Sequence, residues 1–181
     1  MSLSIVQGWK FYRLSEVLTL DECYAAVERM ASRLGPLGDG IDAMQAPEVW
    51  TLAESVVYAS FLTDVRPGLS VEREIVYVVM WTTERLMATQ TSEQPVERRV
   101  RDAVQCALHG NAVLMTNIRN GDLVEGFKDA FDYLHGSSAQ REPDGTPVLV
   151  RNLVEILRQH ASPRRITFPS PGRRSDPRGW Q

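Results

Sequence analysis

The sequence predicts an all-α protein of about five helices, with a long central αα-hairpin that dimerises into a four-helix bundle. Three observations predict this class. A helix start signal stands at Thr19, apolar residues recur at helical spacing in successive segments up to Leu134, and a short polar turn at residues 91–94 joins two of those segments. Residues 1–157 are therefore expected to form a helical assembly domain, and residues 158–181 a basic tail.

The composition is that of one globular domain with an extension. The chain has 181 residues, of which 43% are hydrophobic and 24% charged. No apolar run approaches the roughly 18 residues of a membrane span, and the first residues lack a secretory-signal pattern. Cys23 and Cys106 stand far apart, which excludes a disulfide framework and a cysteine zinc knuckle. Both cysteines are predicted to be buried apolar residues.

The first helix is predicted to begin after Thr19. Thr19 and Glu22 have the spacing of a capping box, in which each side chain accepts a hydrogen bond from the other residue's backbone. Gly35-Pro36 ends this helix, and residues 35–46 are predicted to be a loop. The apolar residues predicted to share its inner face are Leu20, Cys23, Val27, Met30 and Leu34.

A second helix is predicted to run from Pro47 to Phe61. Proline suits the first turn of a helix, and a wide apolar stripe follows it, so the helix is expected to be mostly buried. The residues of that stripe are Val49, Trp50, Ala53, Val56, Val57, Ser60 and Phe61.

The third and fourth helices form the predicted central hairpin. The third runs from Ser70 to Gln90, and the fourth from Pro95 to about residue 119 with a kink at Gly110-Asn111. The apolar surface of this pair is too wide for one neighbouring helix, so it is expected to pair with a second copy across a twofold axis. The predicted dimer interface comprises Val78, Trp81, Leu86, Val100, Ala107 and Leu114.

A fifth helix is predicted from Asp122 to the residue before Gly136. Residues 137–146 are polar, and the apolar residues of 147–157 predict a short helix or an extended arm that packs on another surface. Beyond Ala161 the chain has four prolines and very few apolar residues, which predicts a disordered tail.

Catalytic motifs are sparse. The sequence has no phosphate-binding G-x-x-x-x-G-K-[ST] motif, and His109, His135 and His160 lie in separate segments. Asp129, Asp132 and His135 follow one another at intervals of three residues on the predicted fifth helix. The favoured interpretation is a solvated acidic face. The sequence therefore predicts no enzyme, no metal site and no cofactor.

The net charge of −3 divides unevenly, because residues 158–181 carry +5 and residues 1–157 carry −8. The tail is therefore predicted to bind RNA or DNA weakly and without sequence preference. Ser162 and Ser170 precede prolines and are candidates for phosphorylation, which would reduce the positive charge. The predicted nucleic-acid contacts are Arg164, Arg165, Arg173, Arg174 and Arg178.

Two segments resemble the core (capsid) proteins of hepadnaviruses and of their non-enveloped fish-virus relatives, the nackednaviruses. The segment Val78-Val79-Met80-Trp81-Thr82-Thr83-Glu84-Arg85-Leu86-Met87-Ala88-Thr89 looks like the ascending spike helix of that family. The segment Arg141-Glu142-Pro143-Asp144-Gly145-Thr146-Pro147-Val148-Leu149 looks like the stretch that leads into its C-terminal arm. Gln140 stands where the family has an aromatic residue that contacts the neighbouring dimer.

The resemblance implies a structural protein of a virion. Homodimers would assemble in the host cytoplasm into an icosahedral shell that packages RNA or DNA, with no membrane span and no small-molecule substrate. The contacts that the resemblance implies between dimers are Phe131, Gln140, Arg141, Pro143, Pro147 and Val148.

The sequence also leaves two other classes open. One is a small acidic helical regulator, adaptor or inhibitory protein that acts by protein–protein binding, and the other is a helical enzyme with a buried site. Particle size in solution separates the capsid from the adaptor, and turnover that depends on Asp132 or His135 would indicate the enzyme.

Overall fold

The computed structural model describes residues 8–35, 47–52, 55–66, 72–118 and 122–136. In chain order the elements are β1 (Lys10–Leu14), α1 (Leu20–Leu34), β2 (Glu48–Leu52), β3 (Val56–Asp64), β4 (Arg73–Trp81), β5 (Leu86–Gln90), α2 (Gln94–Ala107), β6 (Ala112–Leu114) and α3 (Leu123–His135). The strands form one antiparallel sheet in the spatial order β2-β3-β4-β5-β1-β6. The protein is therefore a mixed α/β protein, and the all-α prediction is wrong.

Two of the predicted helices are strands. β2 and β3 lie at residues 48–52 and 56–64, where the second helix was predicted, and β4 and β5 lie within the predicted third helix. β4 contains a nearly continuous run of β-branched and aromatic residues, which fit a pleated sheet. Because both faces of its second half are buried, the run lacks the apolar–polar alternation that marks a strand covered on one side. The predicted αα-hairpin and four-helix bundle are thus wrong.

The other three predicted helices are present, with local signals at their ends. The capping box of α1 is confirmed, since the Glu22 N–H donates to Thr19 Oγ1 at 3.3 Å and the Thr19 N–H donates to Glu22 Oε2 at 2.8 Å. Asp122 caps α3, and Gly136 follows its last turn with a φ of 60°. α2 begins near Pro95 as predicted.

The predicted fourth helix is shorter than expected. α2 ends at Ala107, and the chain reverses through His109 and Gly110, both of which have positive φ angles. Leu114, predicted as part of the helix, lies in β6 instead. The glycine that predicted a kink therefore marks the turn after the helix.

Helices α1 and α2 cover one face of the sheet, and their side chains share a core with every second residue of the strands. Buried Thr63 links β3 to α1, because its hydroxyl donates a hydrogen bond to the Leu34 carbonyl at the end of α1. Arg99 of α2 donates to the Thr63 hydroxyl at 3.2 Å and also to the Asp64 carbonyl. These contacts fix both helices against β3.

Helix α3 packs on the opposite face. Phe127 lies with its ring centroid 4.8 Å from that of Trp81, which also contacts Phe11 of β1 at 6.3 Å. The helix approaches β1 so closely at Gly126 that an added Cβ would lie 2.3 Å from the Phe11 ring. Only glycine allows this distance between helix and sheet.

The two cysteines have different surroundings. Cys23 is buried in α1, as predicted, whereas Cys106 is exposed near the end of α2, so its predicted burial is wrong. Burial raises the pKa of the Cys23 thiol to about 11. Because the thiolate is the nucleophile, Cys23 is held in its unreactive form at neutral pH.

We expect Ellman's reagent at pH 8 to label one thiol per folded chain, that of Cys106. In denaturant both thiols should react. The Cys106→Ser variant provides the control, because it should show no fast labelling until it unfolds. Fast labelling of Cys23 in that folded variant would contradict the packing of α1.

None of the helices in the described part of the chain is long and apolar enough to cross a membrane.

Candidate functional site

Among the residues that the structure describes, strand β2 forms an open edge of the sheet. It pairs with β3 on one side, through the register Glu48↔Ser60 to Leu52↔Val56, and no other described strand pairs with it. An edge strand presents unpaired backbone N–H and C=O groups to its surroundings. The opposite edge, β6, has three residues, whereas β2 has five and contains neither proline nor lysine. Short length and such residues protect edges, so β2 is the less protected of the two.

Trp50 lies in the middle of this edge with 41% of its surface exposed. Its ring contacts Tyr58 of β3 at a centroid distance of 5.4 Å, and Tyr58 contacts Tyr77 of β4 at 6.0 Å. The three rings lie on the sheet face that α3 also contacts. They form a row that we call the aromatic row, which starts at the open edge and continues inward.

The inner rings of the aromatic row lie in an apolar environment. Burial raises the pKa of the Tyr58 hydroxyl well above its usual range, and the neighbouring Tyr77 raises it further. Burial also raises the pKa of Tyr77. Both phenols therefore stay neutral, and the row offers a mainly apolar surface with an exposed indole at its outer end.

Strand β2 is held in place from the other face. The hydroxyls of Thr51 and of Tyr24 in α1 hydrogen-bond to each other. Val49, on the same face as Thr51, packs against the core that α1 and α2 share with the sheet. Because successive residues of a strand point to opposite faces, this anchoring presents Trp50 on the far side.

A cleft of about 370 Å³ lies between the segment that joins β1 to α1 and the turn that joins α2 to β6. Glu22 on its wall is already used in the capping box, and the hydrogen bonds from Thr19 lower its pKa. Other charged residues that line the cleft are Glu16, Asp21 and Arg29. Within the described ranges, no three His, Cys, Asp or Glu side chains are placed to hold a metal ion.

His135, one of the two residues that the enzyme alternative singled out, forms a contact between elements. His135, at the end of α3, lies with Nε2 2.6 Å from Oε2 of Glu84, which is 8% exposed in the turn between β4 and β5. The imidazole also contacts the ring of Phe131 at 4.4 Å. This contact joins the end of α3 to the sheet.

The predicted dimer interface lies inside the chain. The helical hairpin that was to present it does not form, and the chain's own sheet and helices enclose most of these side chains. Leu114 is partly buried on the same core. The homodimer stays a prediction, but the surface proposed for it is wrong. The residues buried within the chain are Val78, Trp81, Leu86, Val100 and Ala107.

Of the predicted contacts between dimers, Phe131 alone lies in the described part of the chain. It is 7% exposed and packs against Phe127 of the same helix at 5.8 Å. The remaining predicted site residues lie outside the described residues. They are Gln140, Arg141, Pro143, Pro147, Val148, Ser162, Arg164, Arg165, Ser170, Arg173, Arg174 and Arg178.

Trp50 was predicted to lie in the buried stripe of a helix, so the sequence did not indicate the edge. A signal was present, because Val49-Trp50-Thr51 and Val56-Val57-Tyr58 are β-branched and aromatic runs. Residues 52–55 separate the two runs, a spacing that suits a hairpin.

By its fold, the protein belongs to the class of mixed α/β proteins with a six-stranded antiparallel sheet and helices on both faces. Its candidate site is an edge strand with an exposed tryptophan. No protein-family model matches the chain, and no curated protein matches it in sequence.

Proposed function

We propose that this protein is a non-catalytic regulator or adaptor that binds an extended segment of a partner protein along β2. The observation that carries this proposal is the open edge strand with Trp50 exposed at its centre. Addition of a strand to an exposed sheet edge is a general mode of peptide recognition. The backbone groups supply the affinity, and neighbouring side chains supply the selectivity.

The surroundings of β2 favour a particular peptide chemistry. An extended peptide beside β2 would place every second side chain on the face that holds the aromatic row, where a large apolar side chain can pack against Trp50. Glu48 is exposed on the same strand, and residues 1–157 carry a net charge of −8. A segment with basic residues around an apolar one therefore fits this edge best.

The capsid interpretation stays a prediction from the sequence resemblance. The segment that most resembles the spike helix, residues 78–89, forms parts of β4 and β5 and the turn between them. The arginines that were to contact nucleic acid lie outside the described residues. No observation on the described residues favours shell formation over partner binding.

The proposal is tested by selecting peptides from a random phage-displayed library on the full chain and measuring a synthetic binder by fluorescence anisotropy. We expect Trp50→Ala to weaken binding at least tenfold, or by about 1.4 kcal/mol, because exposed tryptophans dominate such interfaces. Val113→Ala is the matched control, since Val113 is 54% exposed on the opposite edge strand and should leave the affinity unchanged.

Amide hydrogen exchange supplies a second readout. The bound peptide should slow exchange within residues 48–52, because added strand pairing protects edge amides. Equal binding to Trp50→Ala, protection only elsewhere, or no selected peptide would contradict the proposal. Discrete megadalton particles in light scattering would instead support the shell.

A further inference from the structure

The two faces of the sheet are covered unequally by the described helices. α1 and α2, of 15 and 14 residues, lie on one face, whereas α3, of 13 residues, lies on the other. Six strands spaced about 4.8 Å apart make a sheet more than 20 Å wide, and one helix is only about 10 Å across. One helix therefore leaves part of the second face to another segment.

The contacts of α3 locate that part. α3 approaches β1 at Phe11 and β4 at Trp81, and its end meets the turn between β4 and β5 at Glu84. The region beyond these contacts belongs to β2, β3 and the first half of β4. We call it the side strip. Its large side chains are those of Trp50, Tyr58, Leu62, Ile75 and Tyr77, and the small Ser60 lies among them.

The side strip is mainly apolar, and apart from Tyr58 its large side chains are incompletely buried. Leu62 and Ile75 face each other across β3 and β4, and both are half-buried, as is Tyr77. Trp50 is exposed at its outer border. Burial of such a surface is favourable at about 25 cal/mol per Å² of apolar area, so a segment with a matching apolar face is stabilised there.

The chain leaves α3 next to this strip. Gly136 follows His135, whose ring contacts Glu84. Nearby, the Thr82 N–H donates to the Ser55 carbonyl at 2.9 Å, which places the start of β3 beside the same turn. After Gly136, 45 residues of the 181 remain. The described chain therefore ends beside the side strip, on the face of the sheet that α3 contacts.

The spacing of apolar residues in 147–157 and the length of the chain before them suit this surface. Arg151, Glu155 and Arg158 recur at spacings of four and three, which places them on one side of a helix. The opposite side carries Leu149, Val150, Leu153, Ile156 and Leu157, with Val154 at its border, whereas Val148 falls on the side of the charged residues. Residues 137–146 can span up to about 33 Å, and eleven residues make a helix of about 16 Å, close to the length of the strip.

We propose that residues 147–157 fold back as an amphipathic helix onto the side strip, beside α3 in the same chain. The second face of the sheet then carries two helices, as the first face does. This inference does not rest on the proposed function. The helix packs on the inner part of the strip, Tyr58, Leu62, Ile75 and Tyr77, and leaves Trp50 at the outer border to a partner segment that pairs with the edge.

Cross-linking tests the contact in the full chain. In a Cys106→Ser background, Ile75→Cys is combined in turn with Leu149→Cys, Leu153→Cys or Ile156→Cys, and a short bismaleimide is added. Buried Cys23 does not compete, for the reason given above. We expect at least one of these pairs to form intrachain cross-links several-fold more efficiently than the matched controls Ile75→Cys/Arg151→Cys and Ile75→Cys/Glu155→Cys.

The outcomes separate the possible occupants of the strip. Equal yields for the apolar and polar positions would overturn the proposal, and so would cross-links found only between two chains, which would assign the strip to a second copy. As a second measurement, Leu153→Asp in the full chain should increase the fluorescence of a bound hydrophobic dye, whereas Arg151→Asp should not. No difference between these two variants would also overturn it.

Discussion

Replacement of Phe127 by alanine is expected to lower the free energy of unfolding by about 3 to 5 kcal/mol. Phe127 is fully buried in α3, and its ring packs between those of Trp81 and Phe131 at centroid distances of 4.8 and 5.8 Å. Removal of the ring loses apolar burial and leaves a cavity that the sheet cannot fill. Since domains of this size are stable by about 5 to 15 kcal/mol, the loss should be large in urea unfolding monitored by circular dichroism.

Tyr133→Ala is the matched control for Phe127→Ala. Tyr133 lies on the same helix but is 57% exposed, so its removal should change the free energy of unfolding by no more than about 0.5 kcal/mol. Similar losses for both variants would show that α3 does not pack on the sheet through Phe127.

The second large effect is expected for Val78→Asp, which should abolish cooperative folding. Val78 is fully buried in β4 and lies in the core shared with α1 and α2. An aspartate there loses the packing of valine and buries a carboxylate that has no cationic partner. The combined cost of several kcal/mol takes most or all of the stability of a typical domain.

Val113→Asp provides the comparison, because Val113 is 54% exposed on β6 and should tolerate a charge. Folding of both variants is measured by thermal unfolding and by the dispersion of amide signals in NMR spectra. The predicted helical hairpin placed Val78 at a dimer interface, where aspartate would produce a folded monomer. A folded, monomeric Val78→Asp variant would therefore contradict the sheet.

The helices were predictable because their signals are local. Thr19 with Glu22, and Asp122 with the N–H groups two and three residues later, satisfy backbone donors at helix starts within a few residues of sequence. Gly136 ends α3 in the same local manner. Such signals act before any tertiary contact forms, so the sequence is sufficient to read them.

The strands were missed because their partners are distant in the sequence. Phe11 of β1 lies opposite Ala88 of β5, and no local pattern indicates that pairing. The second half of β4 is buried on both faces, so its apolar run fits a buried helix as well as a buried strand. For the candidate site, the sequence identified Trp50 as part of an apolar stripe but could not place it on an edge.

The sequence by itself determined where the three helices begin, where α3 ends, and how charge divides between residues 1–157 and the tail. These features depend on neighbouring residues or on simple counting. Only the tertiary structure decided that β2 is an edge strand and that Trp50 lies outward on the face of the aromatic row. The physical reason is that strand order depends on backbone hydrogen bonds between remote segments, and these bonds involve groups that every residue except proline carries.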